Sequence, residues 1–244
     1  VLKLQADEIY HPEDVSIFAS ANPAGSSDYG DLPNLRHKEW SWFRRQEKTD
    51  SYLSNINDLA SFSGDAYKDY YIDLPGNNAE EIQDFYESVK DDYDDTIYAT
   101  VVKDPKSDIL AVQYWFPYYY NNWAQEGGLN NHEGDWENIT LFFEKDGPYG
   151  AMYSQHWWTE SRYWGDIELA GENEGYDGTP THPIVYVALG SHASYFESGT
   201  DQIGVWRLGW QDRHDGNGTV LCPIESIGGQ GGNCLLYTSP SPRD

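Results

Sequence analysis

The chain has 244 residues, and 15 Lys plus Arg against 41 Asp plus Glu give a formal net charge of −26. So acidic a chain has no electrostatic means of holding nucleic-acid phosphates, and no apolar run approaches the roughly 20 residues that span a bilayer. With 10 Trp, 20 Tyr and 8 Phe, it is far too aromatic for an acidic disordered chain and long enough for one large domain or two small ones.

In chain order, residues 1–18 (VLKLQADEIYHPEDVSIF) read as a short strand, a turn at His11-Pro12 and a short helical or extended piece. Residues 19–34, with Asn, Pro, Gly and Ser, read as loop, and residues 35–75 show no period that assigns them. Residues 78–93 carry Ile82, Phe85, Tyr86 and Val89 at helical spacing behind Asn77 or Asn78 as cap, with acids in the first turn. From Thr96 the pattern turns to β: strands are expected over 96–103, 109–120, 135–144, 149–157, 183–189 and 205–210. Short strands separated by Gly, Asn and Asp point to a mainly β fold, an antiparallel β-sandwich with a few short helices. Residues 19–95 would form a long loop- and helix-rich N-terminal insertion in a single domain over 1–233.

The last eleven residues, Cys234 to Asp244 (CLLYTSPSPRD), resemble the translation of a transposase sequencing adapter. They are expected to be a scar, with the natural chain cut at both ends and any signal peptide lost. Cys222 is then the one authentic cysteine, and a Cys222–Cys234 disulfide is not expected. The low Lys and high Asp, Asn, Trp and Tyr content suits a secreted protein or one from a salty habitat.

The densest polar cluster is Asn131-His132-Glu133-Gly134-Asp135-Trp136-Glu137, just before an apolar strand. If the strand begins at Asp135, period-two alternation puts Asp135 and Glu137 on the face of Ile139, Leu141 and Phe143. Two carboxylates at the core end of a strand repel and lose solvation. A bound divalent cation is the simplest compensation, with His132 curling back from the incoming loop as third ligand. Such a mixed set favours Mg²⁺, Mn²⁺ or Ca²⁺. The alternative is that the two acids cap a loop or pair with Arg.

His156 and His192 lie in β context and are candidates for a further ligand or a general base. Ser191 and Ser194 flank His192, but no G-x-S-x-G elbow is present. Asp212 to Gly218 (DRHDGNG) reads as a turn rather than a calcium loop, lacking the regular acid spacing and terminal Glu. Trp123, Trp157 and Trp158, with Trp164 and the Tyr118–Tyr120 run, are candidates for a sugar-stacking or membrane-interface surface.

Gly134-Asp135-Trp136-Glu137, the Val185 to Tyr195 stretch VYVALGSHASY, the strand Gln113-Tyr114-Trp115-Phe116 and the E-x-x-x-P start at Glu8 to Pro12 resemble the vacuolar protein sorting-associated protein 62 family. That name implies no biochemical activity. More distantly the chain resembles the necrosis- and ethylene-inducing peptide-like proteins, secreted β-sandwich cytolysins with G-H-R-H-D-W-E in the same strand context. The resemblance implies a divalent cation on His132, Asp135 and Glu137, and an extracellular location. Asn131, Glu133 and Gly134 depart from that heptapeptide, and an acid expected two residues after the strand Phe-Pro is replaced at Tyr118-Tyr119. Glu126, Glu133 or His192 could stand in for it.

Three functions follow. The first is a secreted divalent-metal-binding module that engages a glycan or a membrane lipid headgroup. The second is a metal-dependent hydrolase with His132, His156 or His192 as base; the weight falls against an enzyme. The third is a structural domain whose cation only staples the loop over 121–135.

Overall fold

The computed structural model describes residues 1–19, 34–40, 45–52, 70–76, 78–123, 130–171, 180–203 and 209–221. Its strands are β1 (Leu2–Lys3), β2 (Asn34–Trp40), β3 (Arg45–Tyr52), β4 (Tyr70–Asp73), β5 (Tyr98–Lys103), β6 (Leu110–Asn121) and β7 (His132–Glu144). They continue as β8 (Gly147–Gln155), β9 (Trp158–Tyr163), β10 (Val185–Val187), β11 (Ser194–Tyr195), β12 (Thr200–Gln202), β13 (Gln211–Arg213) and β14 (Val220–Leu221). One α-helix, α1 (Ala79–Val89), is found among the described residues.

The fold is mainly β, in several largely antiparallel sheets. The apolar runs after residue 96 build a five-stranded antiparallel sheet in the order β5-β6-β7-β8-β9. A four-stranded sheet, β11-β10-β1-β14, packs on it, with β1 parallel to β10 and the other pairs antiparallel. Between them the Tyr153 ring stacks on Phe196 at 3.7 Å, and the Tyr153 hydroxyl donates to the Ile184 carbonyl at 2.9 Å. Ile139, Leu141, Val185, Val187 and Leu2 fill the same core. Each such side chain contributes roughly 1.5 to 3 kcal/mol through burial.

Helix α1 forms where its apolar period predicts. Asn78 Oδ1 accepts the Glu80 and Glu81 amides at 3.1 Å each, satisfying donors that no helical carbonyl reaches. Its buried face, Ile82, Phe85, Tyr86 and Val89, sets Tyr86 against Tyr119 of β6 at 5.4 Å and Tyr10 at 4.9 Å. Residues Phe116 to Asn121 of β6 are buried on both faces, as a continuous aromatic run requires.

Several expectations change. Strand β7 begins at His132, not at Asp135, because its pairing with β6 continues to Asn121↔His132. The edge strand β9 had no alternating signal. Residues 35–75, expected within a loop- and helix-rich insertion, contribute the antiparallel sheet β3-β2-β4. Two of these strands, Asn34–Trp40 (NLRHKEW) and Arg45–Tyr52 (RQEKTDSY), are polar at most positions and show no period of two, and Tyr70–Asp73 is too short to carry one. Of the strand expected at 205–210, residues 205–208 lie outside the described residues, and Gly209 and Trp210 belong to no strand. Cys222, the adapter-like segment 234–244 and the loop over 20–33 also lie outside them.

Candidate functional site

The site stands at the Asn121/His132 end of the central sheet. Asp135 sits opposite Tyr118, and Glu137 opposite Phe116, so both carboxylates share the face of Ile139 and Leu141 as alternation requires. Side by side on one strand, they do not flank a bond as a glycosidase pair does. Between His132 and Asp135, Gly134 takes a left-handed φ of +65°, which L side chains avoid. Across that kink, His132 Nε2 comes within 3.4 Å of Asp135 Oδ1, although the two positions would otherwise point to opposite faces. His132 Nδ1–H donates to the Asn130 carbonyl at 2.7 Å, which leaves Nε2 turned to Asp135. His132 therefore reaches the site from inside the strand, where the sequence had put it in the incoming loop. Asn131 closes that loop: its Oδ1 accepts the Trp123 amide at 2.9 Å and its Nδ2 donates to Asn122 Oδ1 at 3.2 Å.

The second strand motif delivers His192. Gly190 takes φ +74°, and a Cβ there would lie 2.1 Å from the Asn122 carbonyl oxygen, so no other residue fits. His192 follows with φ +54° and is 0 % exposed. Its ring stacks on Tyr118 at 3.9 Å. Its Nδ1 donates to Asp135 Oδ2 at 2.9 Å, and its Nε2 faces Glu8 Oε1 at 3.4 Å. An imidazole with a carboxylate on each nitrogen is doubly protonated. Burial alone would lower its pKa. The Glu8 charge and the hydrogen bonds to Asp135 and Glu8 outweigh that and push it up to about 10. In return, and against burial, His192 holds Glu8 below the usual carboxylate range, and hydrogen bonds from His132 and His192 do the same for Asp135.

The compensating charge that the sequence reading sought from a bound cation is thus supplied to Asp135 by His192. As a general base His192 is excluded by geometry, sealed from solvent with both nitrogens committed. Glu8, missed as a site residue, holds the arrangement: Oε1 accepts the Ile9 and Tyr10 amides at 3.0 and 3.1 Å, and Oε2 accepts the Gly190 amide at 2.8 Å. The signal was the E-x-x-x-P start, which fixed its identity but not its role.

Glu137 answers desolvation differently. Burial first and the Asp135 charge second push it up to about 8, against a hydrogen bond that its Oε2 accepts from Ser154 Oγ at 2.7 Å. Beside it, Asp212 is fully buried. It accepts from Ser191 Oγ at 2.7 Å, Tyr195 Oη at 2.8 Å and His156 Nε2 at 2.7 Å. The DRHDGNG stretch had been read as a turn, yet Asp212 lies in β13. Ser191 is bonded to Asp212 and not to His192, so these two do not form a nucleophile–base pair. His156, at the end of β8, has φ +42° and its ring centroid is 5.7 Å from Trp123.

The aromatic candidates separate. Trp157 is 78 % and Trp158 43 % exposed, whereas Trp123 is 5 % exposed; packed under His156 and Trp210, it offers no ligand surface. Of the residues considered for the missing ligand, Glu126 lies outside the described residues, and Glu133 Oε2 accepts the Leu74 amide at 2.7 Å. Asn121, outside the motif, also adjoins Asp135. Its Nδ2 donates to Asp135 Oδ2 at 3.3 Å, while its Oδ1 is buried without a partner among the described residues, as is Tyr118 Oη.

No set of three or more His, Cys, Asp or Glu among the described residues already stands at metal-holding spacing. What is assembled is a facing nitrogen–oxygen pair, His132 Nε2 and Asp135 Oδ1, with an orphaned amide oxygen next to Asp135.

No protein-family model matches the chain, and no curated protein matches it. Among solved structures, it is similar to a triple mutant of NLPPya, a necrosis- and ethylene-inducing peptide-like protein, at 15 % identity and TM-score 0.31. That match covers 41 % of this chain and 44 % of that one. It is also similar to NLPPya in complex with glucosamine, at 14 % identity and TM-score 0.29, over 41 % of this chain and 43 % of that one. The chain thus spans less than half the length of either structure.

Proposed function

We propose that the chain is a cation-dependent, exported binding module. The Asn121/His132 end of its sandwich would engage a glycan or a lipid headgroup. The observation that carries this reading is the pair His132 Nε2 and Asp135 Oδ1, 3.4 Å apart. The far side of each is already tied: His132 Nδ1 to a carbonyl, Asp135 Oδ2 to His192 and Asn121. Tying back the outer atom of a ligand is how metal sites orient their donors. His132, Asp135 and Glu137 would hold Mg²⁺, Ca²⁺ or Mn²⁺, with the Asn121 oxygen available. The bound cation supplies a Lewis-acid anchor for hydroxyl or phosphate oxygens. Membership of the vacuolar protein sorting-associated protein 62 family is part of the proposal and rests on the Gly134 to Glu137 and Val185 to Tyr195 motifs.

The test is retention of ligand on glycan and lipid arrays with and without EDTA. Binding that disappears on chelation and returns with Ca²⁺ or Mn²⁺ is expected. Binding that survives chelation overturns the proposal.

A structural reading has one observation in its favour. His192 already compensates Asp135 and, through Glu8, fastens the N-terminal segment to the 189–193 turn. On that reading, His132→Ala leaves all ligand binding unchanged.

A further inference from the structure

We infer that Asn217, in the turn Asn217-Gly218-Thr219 between β13 and β14, is the acceptor for an N-linked oligosaccharide. The donor class is an oligosaccharide carried on a lipid pyrophosphate. Asn217 Nδ2 forms a bond to C1 of the first sugar and gives up one proton. The C1–O bond to the pyrophosphate breaks, and the lipid pyrophosphate leaves with the electron pair. The inference rests on the export in the proposed function and names a modification that export permits.

Enzymes that attach N-linked glycans need Asn-x-Ser/Thr on an accessible loop. The chain holds that triplet twice, at Asn138-Ile139-Thr140 and at Asn217-Gly218-Thr219, and the fold separates the two. Asn138 and Thr140 lie within β7, paired with Trp115 and Gln113 of β6, and Thr140 is 2 % exposed. Strand β7 has a neighbour on each side in the five-stranded sheet, which leaves no room for a glycan. Asn217 and Thr219 are both exposed, and β14, the strand that follows them, is the outermost of its sheet among the described residues.

Turn formation accounts for part of the second triplet and not for the rest. Asn217 Oδ1 accepts the Ala6 amide at 2.9 Å. Gly218 donates its amide to the Leu4 carbonyl at 2.9 Å, and a Cβ on it would lie 2.2 Å from the Gln5 carbonyl oxygen, so no side chain fits there. The Thr219 carbonyl accepts the Leu4 amide at 2.9 Å. These contacts use one side-chain oxygen and the backbone. Asn217 Nδ2 and the Thr219 hydroxyl, the two side-chain groups that define the acceptor triplet, have no part in them. The bond from Ala6 also orients the amide, because with Oδ1 turned to the chain Nδ2 is turned to solvent. Substitution at Nδ2 leaves Oδ1 free to accept, so a glycan is carried without loss of the Ala6 contact. Beside β14 it shields an outer strand, where unpaired backbone groups invite association, and adds polar bulk to the surface.

The full chain is produced in yeast behind a cleavable secretory leader. Cell extract and medium are both assayed by gel shift, with and without peptide-N-glycosidase, and by peptide mapping. A single oligosaccharide at Asn217 is expected, with Asn138 unmodified. Asn217→Gln and Thr219→Val each lose the shift completely, and Thr219→Ser retains it. Thr219→Val keeps the Asn217 amide and its bond to Ala6, so it melts with the deglycosylated wild type and its loss of the shift is not a loss of fold. A chain whose leader has been removed but whose Asn217 is unmodified overturns the inference, and so does a shift that persists in Thr219→Val. Modification of Asn217 in a chain that stays in the cell and never reaches the medium supports this inference and counts against export. Secretion of a chain without a glycan leaves export standing and removes the acceptor site.

Discussion

At the scale of single residues, His192 carries the balance of the site. It is a buried cation between Glu8 and Asp135, and removing it leaves two carboxylates facing each other without water. His192→Ala should cost about 3 to 5 kcal/mol, read by urea denaturation; a variant as stable as wild type would show that the imidazole is not the counter-charge. A second prediction concerns Glu13, whose Oε1 accepts from Tyr86 Oη at 2.7 Å. Burial, with a smaller push from the Asp95 charge, raises it to about 7 despite that hydrogen bond. A folded-state pKa above the unfolded value gives stability that is full below the unfolded pKa and lost as pH rises through the folded one. Melting temperature should therefore fall between pH 5 and 8, and less steeply in Glu13→Gln. Equal slopes would remove Glu13 from the account. Much of this residue-level chemistry was legible in Asp135-x-Glu137, because alternation alone sets both acids on the core face. Glu8 and Asp212 were not, because Glu8 meets His192 from 184 positions away and Asp212 meets His156 from 56; no local spacing encodes such meetings.

At the scale of elements, the pattern succeeded where one side of an element is buried and the other wet. Helix α1 followed from its apolar period and its cap; Asn78→Ala should cost about 1 kcal/mol, measured as a shift in denaturation midpoint, and no shift would mean the cap bond contributes nothing. Strands β5 to β8 were likewise legible from apolar runs and alternation. The sheet β3-β2-β4 was not, since the sequences of β2 and β3 are mostly polar and β4 is only four residues long. The start of β7 was misplaced because Gly134 looks like a loop residue, whereas it kinks a continuous strand and brings His132 to Asp135. In the second motif, Gly190→Ala drives a Cβ against the Asn122 carbonyl, 2.1 Å away. It should displace the turn that carries His192, with a loss of stability comparable to that of His192→Ala; a variant that melts like wild type would show that the turn shifts freely.

At the scale of the whole molecule, a net charge of −26 makes self-repulsion a general term. Screening it with monovalent salt should raise the melting temperature steadily, since the Debye length shrinks to about 10 Å at 0.1 M. A divalent cation does this too, so a specific effect must be read at constant ionic strength. The sandwich itself was legible from the β half of the chain. The pairing of β1 with β10 and β14, which brings Glu8 under the 189–193 turn, was not, because a two-residue strand carries no period.

The most direct test of the account is bound-metal content and melting temperature of the full chain against His132→Ala, at constant ionic strength. His132 is 43 % exposed in its side chain and stands outside the Glu8–His192 pair, so its loss leaves the fold intact. Near-stoichiometric Ca²⁺, Mg²⁺ or Mn²⁺ is expected in the wild type. At a hundred-fold excess over Kd, the wild type should melt about 5 to 10 °C above its EDTA-treated form, with both effects absent in His132→Ala. Equal metal content and an equal shift in the two proteins, or none in either, would contradict it.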